Sequence, residues 1–188
     1  MRAKILIVDD DRDILLGLEN RITWMGHEPV TADNGKDALR LIEQGEFDLA
    51  LLDLELPALS GLEILERVRG ASHNERQTEK DIGTTYTTPL IIILTAFGTV
   101  ERAVHAMQLG AFDFLTKPFS ADHLTVVVNK ALATVALHRQ VSVLRQEVDD
   151  RYDQLVGANA KMAAQLTIAK QAAQSDVTVL LLGETGTG

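Results

Sequence analysis

Ile5-Leu6-Ile7-Val8-Asp9-Asp10-Asp11 sets the frame: a run of branched apolar residues stops abruptly in three carboxylates. The same pattern returns at Phe47 to Leu52 before Asp53, at Leu90 to Leu94 before Thr95, and at Phe112 to Leu115 before Thr116, Lys117 and Pro118. Short apolar runs of this kind read as strands buried on both faces. His27 to Thr31 is a weaker second strand. Between the runs, Asp13 to Met25, Lys36 to Gln44, Gly61 to Arg69 and Thr99 to Leu109 carry helical spacing, as in Ile14, Leu15, Leu18 and Ile22. A β-α order repeated five times predicts an α/β fold. Its sheet is five-stranded, parallel and doubly wound, with helices on both faces, because parallel neighbours need right-handed crossovers.

Composition agrees with a soluble globular chain and narrows its chemistry. The 188 residues are 46% hydrophobic and carry 27 acidic against 18 basic groups, a formal charge of −9, with no cysteine. That length accommodates one ordinary domain plus an appendage. The missing cysteines exclude a disulfide framework, a thiolate zinc site and a cysteine nucleophile, so a cytoplasmic address is expected. No apolar run approaches the ~20 residues that span a bilayer, and Met1-Arg2-Ala3-Lys4 lacks a signal-peptide core, so no membrane insertion is expected. The acidic excess lies almost wholly in residues 1–120. A surface of that sign repels phosphate backbones, and direct DNA binding by this chain is not expected.

In doubly wound sheets function collects at the carboxyl ends of the strands, beside the point where strand order reverses. There the pattern places Asp9, Asp10, Asp11, Asp53, Thr95 and Lys117. Carboxylates a few ångströms apart repel unless a cation sits among them, and hard oxygen ligands suit Mg²⁺. With negative charge masked, one carboxylate can act as a nucleophile toward phosphorus, while an ammonium and a hydroxyl stabilise phosphoryl oxygens. Helix capping competes as an explanation for single acidic residues after strands, and Asp11 or Asp13 would cap the helix that contains Ile14. Capping does not explain Lys117 before Pro118, nor Asp53 behind the apolar run Leu49 to Leu52.

The acidic pair after Ile-Leu-Ile-Val, Asp53-Leu54-Glu55-Leu56-Pro57 with Gly61 behind it, Thr95-Ala96, and Phe114-Leu115-Thr116-Lys117-Pro118-Phe119 together resemble the receiver domain of two-component response regulators. The resemblance covers residues 1–120 and implies a flavodoxin-like fold. It makes Asp53 the acceptor of phosphate from a sensor histidine kinase. It also makes Asp9, Asp10, Asp53 and the Glu55 backbone carbonyl the Mg²⁺ ligands, and Lys117 the partner of the phosphoryl group, with a cis bond between Lys117 and Pro118. Asp11 is an additional carboxylate, either an aid to the site or a cap. Thr95 and Phe114 match the hydroxyl and the aromatic of the family's switch. A phosphoryl group on Asp53 adds about 1.5–2 negative charges that draw in Thr95 and Lys117. Phe114 then turns inward and reshapes the surface of the fourth helix, last strand and last helix. Phe114 departs from the commoner tyrosine and lacks a hydroxyl to hydrogen-bond.

Two stretches depart from the alternation. Gly70 to Thr88 is polar and exceeds the ~2–6 residues usual between helix and strand, so it reads as a loop or a helix extension. Ala121 to about Leu155 contains neither Pro nor Gly and reads as a single long helix, the linker spanning residues 121–156. Leu124, Val127, Val128 and Ala131 form a core-facing stripe, and Leu137, Val141, Leu144, Val148 and Leu155 continue it, with Arg151 interrupting. An apolar seam that outlasts its domain predicts a short parallel coiled coil and a homodimer, the alternative being a helix lying against a following domain.

Residues 157–188 continue with a helix, Ala160 to Gln174, a strand, Val177 to Leu182, and the turn Gly183-Glu184-Thr185-Gly186-Thr187-Gly188. This resembles the opening of a P-loop, whose glycines cradle phosphates, in the AAA+ module of NtrC-type transcription activators that act with the sigma-N factor. The resemblance implies ATP as a ligand of a full-length parent only, with Gly183, Gly186 and Gly188 at the phosphates, and a fragment that is not itself an ATPase. A second reading takes Asp9-x-Asp11 as the start of a haloacid-dehalogenase-type Mg²⁺ phosphatase, although Asp13 stands where that pattern has Thr or Val. A third is a receiver-like binding module that works without phosphorylation.

Overall fold

The computed structural model describes residues 2–45, 47–75, 88–96 and 100–156, together with Gln165, Ile168, Ala169 and Ala172. Its elements run β1 (Lys4–Val8), α1 (Arg12–Trp24), β2 (Glu28–Ala32), α2 (Gly35–Gln44), β3 (Leu49–Asp53), α3 (Gly61–Glu75), β4 (Leu90–Ala96), α4 (Val100–Gln108), β5 (Asp113–Lys117) and α5 (Ala121–Val156). The five strands form one sheet in the order β2-β1-β3-β4-β5, every pair parallel. This is the expected doubly wound fold. The chain divides into two compact units, Met1–His138 and Arg139–Gly188.

Period-two alternation explains why the inner strands β1, β3 and β4 are apolar along most of their length: each sends successive side chains to opposite faces, and both faces are covered, whereas the edge strands β2 and β5 are only partly buried. Leu6, Val8, Ala50, Leu52, Ile91 and Ile93 join Ala38 and Ile42 of α2, Ile64, Leu65 and Val68 of α3, and Ala106 of α4 in one core. Ile5, Ile7, Leu49, Leu51, Ile92, Leu94 and Leu115 pack on the other face against Leu18 and Ile22 of α1 and Leu124, Val127, Val128 and Ala131 of α5. Each Val, Leu or Ile side chain among them contributes about 1.5–3 kcal/mol when removed from water.

Helix starts are fixed by side-chain oxygens. The Asp11 carboxylate accepts from the N–H groups of Asp13 at 2.9 Å and Ile14 at 3.4 Å, so Asp11, not Asp13, caps α1. Asn34 caps α2 through the Asp37 N–H at 2.9 Å. Ser60 and Glu63 form a reciprocal pair ahead of α3: the Ser60 N–H donates to Glu63 at 2.9 Å and the Glu63 N–H to the Ser60 hydroxyl at 3.3 Å. The Ser60 hydroxyl, which donates to Glu63, and then the Ser60 N–H hold the Glu63 carboxyl below its usual pKa.

Several boundaries differ from the sequence reading. β3 begins at Leu49 and includes Asp53, while β4 and β5 extend to Ala96 and Lys117, because the ladder continues through polar residues: Asp53 lies opposite Leu94, Thr95 opposite Thr116 and Ala96 opposite Lys117. α3 passes Arg69 and continues to Glu75, so the polar stretch begins as helix. The rest of it, 76–87, lies outside the described residues. α5 runs as one helix to Val156, with Leu137, Val141, Val143 and Leu144 exposed. The side chains of Val148 and Leu155 lie outside the described residues, as do the strand Val177 to Leu182 and Gly183, Gly186 and Gly188. The described positions Gln165, Ile168, Ala169 and Ala172 are helical, where a helix over Ala160 to Gln174 is expected. Among the described residues, no helix is long and apolar enough to cross a membrane.

Candidate functional site

From β1 the chain crosses to β2 on one side, and its next strand, β3, lies on the other, so the reversal of strand order falls between β1 and β3. Asp9 follows β1 and Asp53 ends β3. The Asp9 N–H donates to Ala32 O at 3.2 Å, which prolongs the ladder and holds the residue at the sheet edge with no exposed surface. Asp53 is 6% exposed, and its Oδ1 accepts from the Glu55 N–H at 3.1 Å. Asp9 Oδ1 likewise accepts from the Asp11 N–H at 3.1 Å. One oxygen of each buried carboxylate is thus aimed by backbone, leaving the other for the site.

Those remaining oxygens meet one cation. Lys117, at the end of β5, places its Nζ 2.5 Å from Asp9 Oδ2 and 2.6 Å from Asp53 Oδ2. Burial lowers the lysine's affinity for its proton, but the hydrogen bonds and charges of Asp53 and Asp9 outweigh it, so the Lys117 pKa is raised. At Asp9 burial is the largest influence and raises its pKa, opposed by the bonds from Lys117 and the Asp11 backbone. Thr95, 1% exposed on β4, stands one residue beyond the position opposite Asp53, and its hydroxyl lies 3.4 Å from Ala96 O. The Lys117–Pro118 bond is cis, as the resemblance implies.

Asp9, Asp10 and Asp53 each bring a carboxylate oxygen within 4.8 Å of the others. Three hard oxygen donors at that spacing, with Asp10 exposed, fit Mg²⁺, which takes one or two carboxylates and keeps several waters. Asp11 turns its carboxylate to the start of α1 and stands outside this group. The Glu55 N–H faces Asp53, and the Glu55 side chain is held from α4 by Arg102, Nη1 to Oε1 2.9 Å. Phe114 is half-buried on β5 against the core that contains Ile91 and Ile93. Gly61 fits close behind the end of β3: a β-carbon there would sit 2.2 Å from Asp53 O.

Arg102 is the residue near the site that sequence reasoning missed. It is 47 positions from Glu55 and sits on an ordinary charged helix face, so no local pattern marks it.

Residues 5–129 match the response regulator receiver domain, and the chain belongs to that family. It is 34% identical over 187 residues to the alginate biosynthesis transcriptional regulatory protein AlgB of Pseudomonas aeruginosa, covering 100% of this chain and 38% of the relative. It is 33% identical over 188 residues to the regulatory protein AtoC of Escherichia coli K12, covering 98% of this chain and 38% of that protein. Among solved structures, NtrX from Brucella abortus superposes with a TM-score of 0.65 at 33% identity, over 92% of this chain and 35% of that one. The receiver domain of a Luxo repressor protein from Vibrio parahaemolyticus gives 0.63 at 30% identity, over 75% of this chain and 98% of that one. The chain therefore spans 38% of the length of the curated relatives it matches first.

The phosphatase reading is not favoured. The family match is to a receiver, and Asp11, the second Asp of that motif, is spent on the helix cap. Nor is the phosphorylation-independent module favoured, since the acidic cluster and its lysine are in place.

Proposed function

We propose that Asp53 is the phosphoacceptor of a two-component regulator, taking its phosphoryl group from a sensor histidine kinase. The observation that carries this reading is the Lys117 ammonium held between Asp9 and Asp53, 2.6 Å from the latter, at the carboxyl edge of the sheet. An Asp53 oxygen attacks phosphorus, the bond from phosphorus to the donor's leaving atom breaks, and the leaving group departs with its electron pair. Mg²⁺ held by Asp9, Asp10, Asp53 and the Glu55 carbonyl would neutralise charge that develops on the phosphoryl oxygens. Lys117 and Thr95 then pair with those oxygens, Thr95 shifting toward Asp53 and Phe114 filling the space it leaves, with Pro118 aiming the lysine.

The larger assembly is proposed on the same footing. Residues 1–120 form the receiver, 121–156 the linker helix and 157–188 the opening of an AAA+ module. Exposed Leu137, Val141 and Leu144 on α5 support a homodimer through that helix. In a full-length, ATP-binding parent in the cytoplasm, the receiver would control assembly of the AAA+ ring that acts on sigma-N polymerase. The similarity to AlgB, a transcriptional regulatory protein, and to NtrX, whose structure has been solved in complex with ATP, supports this reading.

The test is the intact mass after incubation with a small phosphodonor and Mg²⁺. One added phosphoryl group that requires both Asp53 and the metal is expected. An adduct that persists in Asp53→Asn, or none in the wild type, overturns the assignment.

A further inference from the structure

The rim of the site carries a charge that the phosphoryl chemistry does not call for. Glu55 lies two residues beyond Asp53, and its backbone N–H donates to Asp53 Oδ1 at 3.1 Å, so the residue borders the acceptor. Its side chain is 59% exposed. A free carboxylate there would repel every donor of phosphate, because such donors approach as anions. Arg102 Nη1 meets Glu55 Oε1 at 2.9 Å, reaching across from α4.

We propose that Arg102 is a positioning residue that masks the Glu55 carboxylate at the rim of the acceptor site, so that an anionic phosphodonor meets an edge with one negative charge fewer. The inference rests on Asp53 being the phosphoacceptor. Two signs follow from one cause. Without Arg102, Glu55 slows the anionic donor and at the same time attracts a divalent cation more strongly. A merely structural arginine, whose loss loosens the loop, weakens both. Exposed pairs of this kind act with modest energies, so the expected changes are about two- to fivefold and fade as salt screens them.

The experiment is a double-mutant cycle on the whole chain, using acetyl phosphate as the donor and Mg²⁺ as the cation. Arg102→Ala is expected to lower the second-order rate of Asp53 phosphorylation about two- to fivefold at low salt and to tighten Mg²⁺ binding, followed by calorimetry, by a similar factor. Glu55→Gln in the Arg102→Ala background should restore both, and Arg102→Lys should retain most of the wild-type rate. An Arg102→Ala rate equal to wild type, a defect that survives Glu55→Gln, or one indifferent to salt refutes the inference. If the wild type takes no phosphate at all, the proposed function fails instead, and the calorimetric arm decides this inference alone: Mg²⁺ affinity unchanged or weakened in Arg102→Ala refutes it.

Discussion

Two glycine-to-alanine substitutions, both at helical positions, should move stability in opposite directions. Gly61 opens α3, and an added β-carbon would lie 2.2 Å from Asp53 O and 3.0 Å from Leu54 Cα. Ordinary contact begins at 3.4 Å, so the helix start and the Asp53 carbonyl must part by about 1.2 Å. Neither yields readily: Gly61 N–H is bonded to Leu54 O at 3.1 Å, and Leu54 N–H to Leu94 O at 3.1 Å. Overpacking against backbone costs about 1–3 kcal/mol, and the alanine recovers less than about 1 through a less disordered unfolded chain, for a net loss near 2 kcal/mol. Gly17, inside α1, is the internal control, because an added β-carbon there meets nothing within 4 Å. Gly17→Ala should stabilise by about 0.5–1 kcal/mol. With an m-value of about 1–3 kcal/mol/M, the two urea midpoints, followed by far-ultraviolet dichroism, should separate by roughly 1–3 M. Gly61→Ala should also slow phosphorylation, since the residue that moves is the proposed acceptor. A Gly61→Ala midpoint at or above that of the wild type would refute the close-approach argument.

Asp11→Ala should cost about 1 kcal/mol as a lost cap and leave Mg²⁺ affinity unchanged, whereas a lost affinity measured by calorimetry would make Asp11 a ligand. Partial burial, the largest influence, lowers the pKa of His27 against the opposing pull of Asp48, and its Nδ1 accepts from the Ala3 N–H at 3.4 Å. A folded pKa below the unfolded value near 6.5 means that this contribution is complete above about pH 6.5 and is lost as pH falls through the folded pKa. Urea midpoints of His27→Gln should fall less than those of the wild type over that window, and parallel curves would count against it. Mg²⁺ at a hundred times its Kd should stabilise the wild type by about 2.7 kcal/mol and a chelator should remove the gain; an unmoved midpoint argues against the acidic cluster as a cation site. Finally, the chain should sediment as a dimer at high concentration, and Leu137→Glu with Leu144→Glu should give a monomer; a wild type that is monomeric throughout rules out the α5 seam.

Why the fold was readable is plain in β3 and β4. Strands buried on both faces must be apolar at every position, so Leu49 to Leu52 and Leu90 to Leu94 announce themselves without alternation. Their ends were less legible because backbone bonding does not stop where hydrophobicity does: Asp53, Thr95 and Lys117 are ladder residues as well as site residues. The site's main members were visible because each closes an apolar run. Asp11 shows the limit of that signal, since cap and ligand look alike until the carboxylate is seen to accept the Asp13 N–H. Arg102 and the backbone clearance at Gly61 were hidden for a different reason, both being products of which segments the sheet brings together.

The Lys117 bridge has an arithmetic consequence for signalling. Asp9, Asp10 and Asp53 contribute three negative charges and Lys117 one positive, leaving the quartet at −2. One divalent cation brings it to zero. Were Asp53 phosphorylated as proposed, the phosphoryl group would bring about 1.5–2 negative charges while the carboxylate gives up its one, a net excess of about 0.5–1. That excess would be met by rearrangement: Lys117 turning from carboxylates to phosphate, Thr95 lending a hydroxyl, neighbouring surfaces shifting. A resting site already near balance makes the modification legible as an excess, so the strength of the output should scale with how poorly the new charge is absorbed.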